Sequence, residues 1–173
     1  MDENKSFLLK GAMTYGFALG IYWVFKYIFL IFSSSMIGLS FVYLALTLAV
    51  PFIAYFLTKK YKEAIGGTIS FFHAWRFGVL LYFFAALIVS LAHFAYFQFL
   101  APEDFLFNAT SQLVEILKQS NMNTDLIESI SHMQTSPIHM AIQGIFNNVF
   151  YGIVFSIPVA AIISRNNNKG TIA

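Results

Sequence analysis

The chain has 173 residues, of which 58% are hydrophobic, 18% aromatic and only 10% charged. A soluble domain carries roughly 25% charged residues, so a water-facing globule of this length would lack the charge to cover itself. The same composition excludes a disordered chain and a basic nucleic-acid binder, and the absence of cysteine excludes a disulfide-stapled module, zinc ribbons and thiol chemistry.

A membrane protein remains, and its spans are read from the gaps between charges, since about 20 apolar helical residues cross a hydrocarbon core of about 30 Å. Helix one is expected over residues 11–32. It is too long for a leader peptide, it carries Lys26, and no Ala-x-Ala pattern follows it. Phe32-Ser33-Ser34-Ser35 divides an uncharged run too long for one span, because serine competes for backbone hydrogen bonds. Helix two then follows over 36–57 and a loop over 58–70. In that loop Gly66 and Gly67 permit a tight turn and Ser70 can cap helix three, expected over 71–100.

Residues 101–136 form the one sizeable segment outside the spans, with apolar residues at helical spacing in two stretches. Two short amphipathic helices are expected there, the second opened by the capping pair Asp125 and Glu128. Ser136-Pro137 suits the N-cap and first position of helix four, expected over 137–164, with a tail at 165–173. The fold class is all-α: a single membrane domain of four transmembrane helices, with a short helical segment between helices three and four. Lys5, Lys10, Lys59, Lys60, Lys62, Arg76, Arg165 and Lys169 fall on one side of this arrangement and only Lys118 on the other. The excess of cations places both termini in the cytoplasm, in a multi-pass protein of the cytoplasmic membrane.

Two rows of small residues mark packing surfaces. Ala12, Gly16 and Gly20 form one on helix one; Gly144, Asn148, Gly152, Ser156, Ala160 and Ser164 form another along helix four. Small residues let a neighbouring backbone approach closely, so the two seams face each other or each meets a further helix. Helix three shows no counterpart. Pro158 is expected to bend helix four, with Ser156 serving the freed carbonyls.

Ionisable and amide groups inside a bilayer are functional candidates. Lys26, His93, Gln98, Gln143, Asn147 and Asn148 all fall in the outer half of their helices, and the inner half has no comparable group. Lys26, His93, Gln143, Asn147 and Asn148 together are a candidate polar pocket open to the outer side. Each residue also has a plain structural role. Lys26 can snorkel among Tyr22, Trp23 and Tyr27, His93 can bond within the core, and Asn148 can join helices. His132 and His139, seven residues apart across Pro137, are the one pair that a shared metal would use, and they lack a third ligand. No phosphate loop, Ser-His-Asp set or carboxylate within a span can be identified.

The segment from Gly66 to Gly78 resembles domain-of-unknown-function family 4199, small bacterial inner-membrane proteins with four spans. The matching positions are Gly66, Gly67, Ile69, Ser70, Phe71, Ala74 and Gly78. A second likeness is the aromatic run Tyr96-Phe97-Gln98-Phe99 before Ala101-Pro102-Glu103-Asp104-Phe105. The likeness extends over roughly residues 6–165. It implies this topology and no activity, cofactor or catalytic residue.

The expectation is therefore a non-enzymatic structural or partner-binding subunit with no cofactor. Its partners are the lipid bilayer and another membrane protein or a second copy, with no nucleic acid. The alternative is a small transporter or lipid-binding protein using the outer pocket.

Overall fold

The computed structural model describes residues 2–33, 36–102, 104–120, 123–131 and 136–166, and every regular element among them is helical. The order is α1 (Asp2–Phe32), α2 (Ile37–Ala64), α3 (Phe71–Phe99), α4 (Phe105–Gln119), α5 (Thr124–Ser131) and α6 (Pro137–Arg165). Four stretches are long and apolar enough to cross a bilayer: Ser6–Phe32, Gly38–Ala64, Phe71–Phe99 and Pro137–Arg165. The chain is a multi-pass membrane protein.

Two boundaries differ from the expected ones. α1 starts at Asp2 rather than at residue 11, and α2 runs to Ala64, so much of the expected loop at 58–70 is helix. The charges of Lys59, Lys60, Lys62 and Glu63 end the hydrophobic span, but they do not end the helix, because Lys and Glu are good helix formers. What stops α2 is the glycine pair. Gly66 and Gly67 take φ of 101° and 82°, left-handed values that cost other residues roughly 1–2 kcal/mol. The Gly67 N–H donates to the Lys62 carbonyl at 2.9 Å and the Gly66 N–H to the Glu63 carbonyl at 3.2 Å. This is a Schellman ending. Three residues on, the Ser70 hydroxyl accepts the His73 N–H at 3.3 Å and caps α3. Ser34 and Ser35 of the serine tetrad lie outside the described residues. Ser33 donates to the Leu30 carbonyl at 2.7 Å, the local competition that closes α1.

The chain divides into two compact units, Met1–Ser90 with Gly144–Ala173, and Leu91–Gln143. In the first, α1, α2 and the later part of α6 all pack against α3. The buried residues of α3 include Ala74, Phe77, Gly78, Leu81, Tyr82, Ala85, Ala86 and Val89, which fall on more than one face of the helix. The outer helices keep exposed apolar faces, among them Phe41, Leu48, Phe52 and Phe56 on α2 and Phe146, Phe150, Val154 and Ile157 on α6. Water would penalise such faces and hydrocarbon accepts them.

The second unit holds the end of α3, the amphipathic helices α4 and α5, and the start of α6. Phe105 at the head of α4 packs its ring 5.7 Å from Phe97 and 6.3 Å from Tyr96. Just ahead of α5 the Asn123 side chain accepts the Asp125 N–H at 2.9 Å, an Asx turn at the helix start. Ser136 precedes α6, its hydroxyl accepting the His139 N–H at 3.4 Å.

Candidate functional site

The small-residue seams show how the first unit closes. A Cβ added at Gly16 would come within 2.6 Å of the Phe84 Cβ, and one at Gly20 within 2.7 Å of the Ile88 Cβ. On the other side, a Cβ at Gly152 would stand 2.5 Å from the Tyr82 Cβ, and Ser156 sits against Gly78. The two seams thus do not meet each other. Each lies against α3, which supplies Ala74, Gly78, Ala85 and Ala86 as small buried residues of its own. Ala12 is buried, while Gly144 is half-buried and stands at the margin of this contact.

Both prolines inside helices are attended by an aromatic donor from a neighbour. The Tyr22 hydroxyl of α1 donates to the Leu46 carbonyl at 2.7 Å, five residues before Pro51. The Trp75 indole N–H of α3 donates to the Ile153 carbonyl at 3.1 Å, five residues before Pro158. A proline ring presses on the preceding turn and loosens its hydrogen bonds, so a carbonyl there takes an outside donor. Ser156, expected in that role, has instead a buried hydroxyl with no hydrogen bond among the described residues, and the same holds for the Trp23 indole nitrogen and the Tyr82 hydroxyl. Trp23 and Tyr82 rings meet edge to face at 5.6 Å.

Of the expected outer set, Lys26, Asn147 and Asn148 lie in the first unit and His93 and Gln143 in the second. Lys26 places its ammonium 5.1 Å from the Tyr43 ring centre and 5.9 Å from that of Trp23, distances at which a ring face attracts a cation. Asn148 donates to the Gly144 carbonyl of its own helix at 2.8 Å. Asn147 is exposed. Within the second unit, His93 stands 6.4 Å from the Phe97 ring and Gln143 is exposed. His132 lies outside the described residues, and the His139 ring bonds the Ser136 hydroxyl at 3.0 Å.

The polar contacts of the first unit concentrate at its other end, where the sequence reading places no candidate. Tyr61 is fully buried, stacks on Phe77 at 4.0 Å and 6°, and shares a 2.8 Å hydrogen bond with His73 Nε2. Gly11 gives this ring room, since a Cβ there would stand 2.8 Å from it. Next to it Lys62 is buried, and its ammonium donates to the Ile163 carbonyl at 3.2 Å. Ile163 lies in the last turn of α6, where carbonyls lack helical partners and a cation complements the helix dipole. The start of α1, the end of α2, the start of α3 and the end of α6 thus come together at one end.

A cavity of about 210 Å³ opens there, lined by Tyr55, Lys59, Lys62 and Glu63 of α2, by Gly67 of the turn, and by Ile163 and Asn166. The family-like motif builds its surroundings: Gly66 and Gly67 form the turn, Ile69 and Ala74 are buried, Phe71 is half-buried and Ser70 caps α3. A signal for this site is present in the chain. The run Lys59 to Ala64 contains no helix breaker before Gly66, so the cations belong on a helix and one of them faces its neighbours.

No curated protein and no solved structure matches the chain. Residues 14–165 match a family model described as "Protein of unknown function (DUF4199)". With four apolar helices and the glycine turn inside the matched region, the chain belongs to the DUF4199 family.

Proposed function

We propose that this chain is a non-enzymatic subunit of the cytoplasmic membrane that pairs with a neighbouring transmembrane helix, from a second copy or from another membrane protein. One observation carries the reading. Asn147 is exposed on α6 and has no hydrogen bond among the described residues. At a rise of about 1.5 Å per residue it lies roughly 15 Å from the start of this 29-residue helix, inside a centred hydrocarbon core of about 30 Å. An amide facing lipid tails has no acceptor for its two N–H groups, and a polar group on an adjacent helix supplies one.

Orientation belongs to the same proposal. Lys10, Lys59, Lys60, Arg76 and Arg165 stand on the four helix ends that gather at one end of the first unit. The positive-inside rule assigns that end, and with it both termini, to the cytoplasm. The transporter alternative draws less support, because Lys26 and Asn148 are each engaged locally, on aromatic rings and on an α6 carbonyl.

The chain has no cysteine, so Tyr151→Cys, one turn from Asn147 and exposed, creates a single thiol in the span and keeps the amide. Oxidative crosslinking in native membranes is expected to give a homodimer at twice 19.6 kDa or a heavier adduct with a second protein. A thiol that stays uncrosslinked, or one that crosslinks no more than a thiol at exposed Phe52 on α2, would remove the basis of the proposal.

A further inference from the structure

The cavity beside Lys62 holds a positive charge that the described residues do not balance. Lys62 is 8% exposed, and a cation taken out of water needs an opposite charge or several hydrogen bonds. Among the described residues its one hydrogen bond goes to the neutral Ile163 carbonyl. An ammonium has three N–H donors, which leaves two for an occupant of the cavity. Lys59 lines the same wall three residues earlier, the spacing that puts two side chains on one helix face. Glu63 is the single acid on the lining, so two cations meet one carboxylate. Asn166 adds an amide donor, and Lys62 stands between the cavity and the negative end of the α6 dipole.

The position decides what kind of anion fits. The cavity lies where the spanning helices end, at the depth of the phosphate groups of a bilayer. We propose that it binds the phosphate of an anionic phospholipid headgroup between Lys59 and Lys62. Lysine recognises phosphate as a point charge, and the net positive wall discriminates against zwitterionic headgroups, whose own cation it repels.

The test uses the full chain in detergent with equal amounts of phosphatidylglycerol and phosphatidylcholine, and native mass spectrometry counts the retained lipid. The wild type is expected to retain phosphatidylglycerol preferentially. Lys59→Gln, at an exposed position outside the packing core, should reduce that preference about fivefold. Glu63→Gln, also exposed, should raise it, a gain that a misfolded protein does not show. Lys62→Gln should abolish it, and the other two variants keep the test decisive if this one fails to fold. Equal retention of both lipids, or a preference unmoved by Lys59→Gln and Glu63→Gln, would overturn the proposal. A soluble glycerol phosphate that protects the protein from thermal unfolding as well as the lipid does would overturn the lipid assignment.

Discussion

Tyr82 concentrates a conflict at the smallest scale. Its ring fills the space between α1 and α6, edge-on to Trp23 and against Gly152, yet its hydroxyl is buried with no hydrogen bond among the described residues. A buried hydroxyl without a partner costs about 1–3 kcal/mol, and removing it returns that amount. Tyr82→Phe should therefore leave thermal stability in detergent unchanged or raise it by about 1 kcal/mol. A marked fall in the unfolding midpoint would contradict this and point to a bound water joining Tyr82 to the Trp23 nitrogen. Tyr61 is the opposite case, since the same residue type is satisfied by His73 at 2.8 Å and stacked on Phe77. Neither situation is legible in the sequence. Tyr82 stands in an apolar run and Tyr61 among Lys59, Lys60 and Lys62, and which one meets a histidine depends on the angle at which α2 and α3 close around the turn at Gly66 and Gly67.

The helices themselves are far more legible. Charge gaps and hydropathy place all four spans, because a bilayer imposes a length on any helix that crosses it. Caps at Ser70 and Ser136 follow from residue type alone. The end of α2 is less accessible to charge counting, since its last turn is cationic yet still helical, and only the glycine pair marks the stop. The seams on α1 and α6 are visible as spacings, but their common partner is not. α3 sets Ala74, Gly78, Ala86 and Ser90 in one four-residue register, but Tyr82 interrupts it with a large ring, so the row does not stand out as a seam. Gly16 and Gly152 are tight points of the bundle, each facing a Cβ of α3. Gly16→Leu and Gly152→Leu are each expected to cost about 1–3 kcal/mol by overpacking. The two overpack different contacts, Gly16 against Phe84 and Gly152 against Tyr82, so a double variant should cost more than either single one. A double variant with the melting temperature of the wild type would show that the helices do not approach along these seams.

At the scale of the whole molecule, polar groups are distributed by what can satisfy them. Tyr22 and Trp75 serve carbonyls ahead of the two internal prolines, Lys62 serves the end of α6, and Lys26 rests on aromatic rings. Each of these would be expensive in hydrocarbon, and each is met within the first unit. Asn147 is the contrast: it lies on a spanning helix, exposed among Phe146, Phe150 and Tyr151, with no bond among the described residues. The polar groups of Trp23, Tyr82 and Ser156 also lack a hydrogen bond among the described residues, but they are buried within the bundle. Asn147 is exposed where a neighbouring helix can reach it, and the subunit role rests on that difference. The most direct measurement is the molar mass of the chain extracted from its native membrane in a mild detergent, compared with that of Asn147→Leu. The account predicts a wild-type complex larger than one 19.6 kDa chain and a monomeric variant with an unchanged melting temperature. A wild type that is already monomeric, or a variant that keeps the same complex, would contradict it.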